Sequence, residues 1–124
     1  MIVADSYEGA RRPCIRYLDH FKFDVAAAAD SRALVEEVVT QPPAVILIDS
    51  QLEKSSRQLL SETPRLKKIP AILFVGGTTE ASEPDQAVVR VAASLVKPFP
   101  LAAMLETLRD VLRAQLRAAS ISCF

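Results

Sequence analysis

Five short apolar runs, rich in Val, Ile and Ala, recur along this 124-residue chain. They are Ile2-Val3-Ala4, Phe23 to Ala28, Ala44 to Ile48, Ala71 to Val75 and Ala93 to Val96. Each is bounded by turn-forming or charged residues, and none sustains a polar–apolar alternation. Such runs suit strands buried on both faces, and strands of that kind need helices on either side of a parallel sheet.

The segments between them carry helical spacing. Leu34, Val35, Val38 and Val39 form one face, opened by Asp30-Ser31 as an N-cap and stopped by Pro42-Pro43. Leu101, Met104, Leu105, Leu108, Val111 and Leu112 form another, with Pro100 expected at the first helical position. The first helix is expected over about Gly9 to Phe21, with Cys14, Tyr17, Leu18 and Phe21 inward. Pro13 then requires a start near Ala10, so that its missing N–H falls among the orphan donors of the first turn. A shorter helix is expected over residues 84–91 with Ser82 as its cap, and a weaker one from Lys54 to Thr63. Strands alternating with helices over this length predict an open, doubly wound α/β domain with right-handed crossovers. Residues 1–118 are read as that domain and 119–124 as a C-terminal tail.

Composition narrows the function classes. The chain is 50% apolar and 24% charged, which is globular composition and excludes disordered or low-complexity classes. Its 15 basic and 15 acidic residues cancel, which argues against a surface built for nucleic acid or anionic membrane. The longest apolar runs are far too short to cross a bilayer, and charges interrupt the first twenty residues where a signal peptide needs an apolar core. A cytoplasmic location is therefore expected. Cys14, Cys123 and the single histidine, His20, lack the spacing of a zinc site, a disulfide framework or a Ser-His-Asp triad.

In open α/β sheets chemistry gathers beyond the carboxyl ends of the strands. The residues there are Asp5, Asp49, Gly76-Gly77 and Lys97. Two carboxylates and one ammonium, distant in sequence, are thus expected to converge on one sheet edge.

Ile2-Val3-Ala4-Asp5, Val45-Ile46-Leu47-Ile48-Asp49, Ile69-Pro70-Ala71-Ile72-Leu73-Phe74 and Leu95-Val96-Lys97-Pro98-Phe99 make the chain resemble the receiver domain of two-component response regulators over residues 1–117. The resemblance implies a flavodoxin-like five-stranded parallel sheet in the order 2-1-3-4-5, flanked by five helices. It implies Asp49 as phosphoacceptor and Asp5 as part of an acidic pocket for Mg²⁺. Lys97 is then the lysine that pairs with the phosphoacceptor and later with the phosphoryl group, on a Lys-Pro bond that is usually cis in the family. The implied role is phosphorelay signal transduction: a phosphoprotein that takes its phosphoryl group from a histidine kinase or phosphotransfer protein. Such a domain is not an enzyme on a separate substrate, though it can assist its own phosphotransfer and dephosphorylation. Each role has a chemical reason: a carboxylate can attack a phosphohistidine or acyl phosphate, and cationic partners must offset the gathered negative charge.

The sequence also departs from the family pattern. Ser6 stands where a second acid usually follows the first, so Mg²⁺ binding is expected to be weak. Glu8 is near enough to substitute, and Ser6 itself suits an N-cap. Val75 replaces the hydroxyl residue that usually ends the fourth strand; Thr78 or Thr79 could supply one only if the Gly76-Gly77 loop folds back. Ser94 replaces the aromatic switch residue. The stretch from Asp49 to Pro70 is short, predicting an abbreviated third helix. Partner binding is expected through the helices at 84–91 and 100–117 and is expected to change little with phosphorylation. The rival reading is a pseudo-receiver, an interaction module that keeps the fold without the phosphorylation. A small flavodoxin-like cofactor binder is a third reading, disfavoured because no phosphate-cradling loop follows any strand. Arg109, Arg113 and Arg117 stripe the last helix, a pattern more common on solvated faces than on nucleic-acid surfaces. Nothing after that helix reads as an output domain, so the chain resembles a receiver that stands alone or is cut from a longer regulator.

Overall fold

The computed structural model describes residues 1–76 and 87–122. Within them lie β1 (Ile2–Ala4), α1 (Glu8–His20), β2 (Ala26–Ala28), α2 (Ser31–Thr40), β3 (Ile46–Asp49), α3 (Ser50–Ser55), α4 (Arg57–Ser61), a 3-10 turn (Pro64–Lys68), β4 (Pro70–Val75), β5 (Arg90–Val96) and α5 (Leu101–Ser122). The five strands form one sheet in the order β2-β1-β3-β4-β5, and every pair is parallel. This is the flavodoxin-like topology expected from the resemblance.

Alternating residues of each central strand enter different cores. Ile2, Ala4, Ile46, Ile48, Ala71 and Leu73 pack with Leu34 and Val38 of α2, Leu52 of α3 and Leu60 of α4. Val3, Leu47, Ile72 and Phe74 pack on the other face with Cys14 and Leu18 of α1 and with Met104, Leu105 and Leu108 of α5. Both faces of these strands are buried, which is why the runs read as continuous rather than alternating. Burying side chains of this size stabilises by roughly 1.5–3 kcal/mol each relative to exposure.

Several helix signals act as read. Asp30 caps α2 by accepting the Ala33 N–H at 2.8 Å, and α2 ends at Thr40, just before the two prolines. Helix α1 ends with Lys22 in the left-handed region (φ 69°). There the Phe23 N–H donates to the Leu18 carbonyl at 3.2 Å and the Lys22 N–H to that of Asp19 at 2.9 Å. Those two bonds satisfy carbonyls the helix leaves open.

Other expectations need correction. Helix α1 begins at Glu8, so Pro13 stands at its sixth residue rather than in the first turn. There it removes the bond to the Gly9 carbonyl, and it is tolerated because both residues are exposed and water can serve that oxygen. Ser6 does not cap α1; the N-cap is Tyr7, without a side-chain bond. Pro100 is the residue before α5, and its carbonyl accepts from Ala103 at 3.0 Å. The helix expected over 54–63 is two short helices, broken where Ser56 leaves helical geometry (φ −123°, ψ 16°).

The helix expected over 84–91 is also revised. Residues 77–86, with Thr78, Thr79 and Ser82, lie outside the described residues, Ala87–Val89 are not helical, and Arg90 and Val91 already belong to β5. From Arg90 on, the chain pairs with β4, Arg90 opposite Pro70 and Val91 opposite Ala71, and β-branched valines suit that pairing better than a helix. Helix α5 runs on to Ser122, so 119–122 of the expected tail continue it, and Cys123 lies outside the described residues.

Pro13→Ala restores one backbone hydrogen bond and removes ring crowding, offset by the greater freedom of the unfolded chain. The expected result is a gain of about 1–2 kcal/mol, read as a higher urea midpoint at unchanged slope. A lower midpoint would show that α1 is adapted to its proline.

Candidate functional site

Sheet register creates the site. Ala4 is level with Ile48 in adjacent strands, so the residues that follow, Asp5 and Asp49, leave the sheet side by side. Val96 is level with Val75, so Lys97 leaves β5 at the same edge. Strand β4 lies between β3 and β5, a lateral distance of about 10 Å that a lysine stem largely spans. The Lys97 backbone N–H donates to the Val75 carbonyl at 2.7 Å, and the Lys97–Pro98 peptide is cis. Phe99 then packs its ring on Phe74, centroids 4.8 Å apart, which anchors the turn that presents the lysine.

The three side chains meet. Lys97 Nζ donates to Asp49 Oδ1 at 2.6 Å and to Asp5 Oδ2 at 3.0 Å. Asp5 Oδ1 accepts the Tyr7 N–H at 3.0 Å, and Asp49 Oδ2 accepts the N–H groups of Gln51 and Leu52 at 3.1 and 3.2 Å. Asp49 is thus the N-cap of α3 as well as the partner of Lys97. All four carboxylate oxygens have donors, which is how two acids can be so deeply buried side by side. Burial opposes the charge on Lys97, but the hydrogen bonds and negative charges of Asp49 and Asp5 outweigh it and raise its pKa above the ordinary lysine value. Arg11 Nη1 donates to the Asp5 carbonyl at 2.8 Å and braces the loop after β1.

The remaining candidates are placed differently. Glu8 is not gathered with the two aspartates. As the first residue of α1 it is exposed and faces Arg12 one turn on, at 3.6 Å. Val75 is buried in the core beside α3, so no hydroxyl ends β4. Ser94 is exposed on β5, level with Leu73. Ser6 is exposed beside the site. Cys14 is a core thiol, its pKa raised by burial first and by the charge of Asp5 second, partly offset by Lys97. His20 ends α1 with its ring edge-on to Phe21. In the arginine stripe, Arg109 lies over the Phe21 ring and Arg113 pairs with Asp110 at 3.1 Å.

Mg²⁺ accepts one or two protein carboxylates and completes its shell with water and phosphate oxygens. Asp5 and Asp49 supply that minimum, with oxygens now held by Lys97. Among the described residues no third carboxylate, histidine or cysteine joins them. The donor set therefore fits the one or two carboxylates that such a cation takes from a protein.

One residue escaped the sequence reading. Glu53 is 1% exposed, accepts the Val88 N–H at 2.6 Å and pairs with Arg57 at 3.1 Å. Its spacing from Arg57 is the ordinary one for a solvent-facing helical pair. The sequence has no sign that the Val88 N–H comes to its carboxylate.

No family model matches the chain, and no curated protein matches it. Solved structures do. A response regulator receiver modulated diguanylate cyclase from Pelobacter carbinolicus superposes with a TM-score of 0.77 at 18% identity, over 96% of each chain. The chemotaxis response regulator CheY4 of Vibrio cholerae gives 0.73 at 22% identity, over 89% of this chain and 95% of that one. NtrX from Brucella abortus gives 0.84 at 16% identity, over 98% of this chain and 28% of the other. The fold is that of response regulator receiver domains, as the sequence resemblance implied. Among the described residues no helix is long and apolar enough to cross a membrane.

Proposed function

We propose that this chain is a cytoplasmic signal receiver that accepts a phosphoryl group on Asp49. The observation that carries the reading is the single ammonium of Lys97 held between two carboxylates from separate strands at the carboxyl edge of the sheet. The nucleophile is an Asp49 oxygen. It forms an O–P bond as the bond from phosphorus to the donor's imidazole nitrogen or acyl oxygen breaks, the electron pair leaving with the donor. Asp49 Oδ2 is restrained by the α3 N–H groups, so Oδ1, held by Lys97, is the oxygen freed when the lysine moves to the phosphoryl group. Bound at Asp5 and Asp49, Mg²⁺ would neutralise negative charge gathered on the phosphoryl group. The donor is a histidine kinase or phosphotransfer protein, and α5 is the surface offered to a downstream partner. The chain acts on itself rather than on a separate substrate.

A phosphorylation-independent interaction module is the second reading. It is favoured by Val75 and Ser94 at the usual switch positions, which leave no hydroxyl–aromatic pair there to report a modification.

Intact mass spectrometry after incubation with acetyl phosphate and millimolar Mg²⁺ separates the two. Slow, partial phosphorylation is expected, absent in Asp49→Asn and enhanced in Ser6→Asp, which restores an acid beside the site. A hydrogen bond to a charged phosphoryl oxygen contributes roughly 1.5–3 kcal/mol, so its absence at Val75 accounts for a slow rate rather than none. If neither the native chain nor Ser6→Asp is modified, Asp49 is not a phosphoacceptor and the interaction module stands.

A further inference from the structure

We infer that Glu53 is a positioning residue that ties the state of Asp49 to the segment entering β5, through helix α3. The inference deepens the proposed function and rests on Asp49 being the responsive carboxylate of the site. It supplies a route for a signal that Val75 and Ser94 cannot carry.

Helix α3 has six residues, too few to hold its shape without outside support. Polar ties fasten it at two places. At its start, Asp49 Oδ2 accepts from Gln51 and Leu52, while the other oxygen of the same carboxylate holds Lys97. One turn on, Glu53 Oε2 accepts the Val88 N–H at 2.6 Å and Oε1 pairs with Arg57, the first residue of α4. Between them Leu52 anchors the helix in the core. A carboxylate 1% exposed is retained only where its oxygens are occupied, and here one of them is occupied by a backbone group 35 residues away. The residue so held lies two positions before β5, the strand that leads into Lys97.

The two ends of α3 are therefore mechanically joined. Once Oδ1 carries the phosphoryl group, Oδ2 is the carbonyl oxygen of an acyl phosphate and a weaker acceptor than a carboxylate, so the bonds from Gln51 and Leu52 weaken and the first turn of α3 loosens. Glu53 sits on that turn, so its contact with Val88 lengthens and the approach to β5 is released. The coupling is local, made of one short helix with a polar tie at each end, and needs no aromatic gate.

Amide hydrogen exchange by NMR tests this without any phosphoryl donor. Asp49→Ala removes the cap and is expected to speed exchange roughly tenfold at Gln51 and Leu52, and also at Val88. Asp49→Asn keeps an oxygen acceptor without its charge, so Val88 is expected to exchange at a rate between those of the native chain and Asp49→Ala. In Glu53→Ala, Val88 exchanges fast from the start, and adding Asp49→Ala changes Gln51 and Leu52 but no longer Val88. Glu53→Gln retains an amide oxygen and is expected to restore the response, which also covers failure of Glu53→Ala to fold. Core amides such as Leu47 serve as the reference for global loosening. If Asp49→Ala frees Gln51 and Leu52 while Val88 keeps its native rate, the inference is overturned. It is overturned equally if Val88 still responds in the Glu53→Ala background. Failure of acetyl phosphate to modify Asp49 would sink the phosphoacceptor reading and leave these rates untouched.

Discussion

Lys97→Met lowers the stability of the native state by about 3 kcal/mol at neutral pH, at the low end of the cost of breaking a buried ion pair. The substitution keeps the apolar stem and deletes the ammonium that Asp5 and Asp49 share. Their side chains are 5% and 11% exposed, so two like charges are left close together with little water. The site is not sealed, since 28% of the lysine side chain is exposed, and this places the loss at the low end. The sign with pH follows from the raised lysine pKa. The contribution of Lys97 is complete below the ordinary value of 10.5 and is lost as pH climbs through the higher folded-state value. Native and variant stabilities therefore run parallel through neutral pH and converge in strong alkali. Urea unfolding at a series of pH values measures the gap. A deficit below about 1 kcal/mol at neutral pH, the level of an exposed pair, would contradict the geometry.

Phe74→Ala costs about 3–5 kcal/mol, a large share of the 5–15 kcal/mol that holds a typical domain together. Phe74 is 2% exposed on β4, level with Asp49 on one side and Leu95 on the other. Its ring fills the core under α1 and α5 and packs on Phe99. The cavity would also leave Phe99 without its support, and Phe99 sits two residues beyond Lys97. The expected signature is thus a stability loss accompanied by altered NMR shifts at Lys97 and Asp49. Phe74→Leu keeps most of the volume and is expected to lose less than half as much. Equal costs for the two variants would show that ring packing, rather than volume, is what the site depends on.

Much of the candidate site was legible because parallel topology converts sequence order into position. Once Ile2-Val3-Ala4, Ala44–Ile48 and Ala93–Val96 are read as parallel strands, Asp5, Asp49 and Lys97 must leave the sheet at one edge. What lay beyond reading was local direction. Glu8 is three residues from Asp5, yet a helix starting at Glu8 faces it toward Arg12. Ser6 suits a cap by composition, but the helix starts one residue too late for it. The Asp49 carboxylate was read for its chemistry, whereas its hold on α3 depends on backbone N–H groups that only the folded turn presents.

The amino-acid sequence alone determined the fold class, the two apolar faces of the sheet and the three charged residues at its carboxyl edge. Those features follow from periodicity and chain order, which burial and the handedness of crossovers turn into architecture. Tertiary structure alone decided where β5 begins, how α3 is held and what Glu53 does. Val88-Val89-Arg90-Val91 is as compatible with the end of a helix as with the start of a strand until β4 offers its open edge. Glu53 looks like half of a surface ion pair until Val88, brought from 35 residues away, places its N–H on the carboxylate. Local pattern reports which surfaces must be buried. Which distant backbone group comes to cover a given side chain is settled only when the chain has closed on itself.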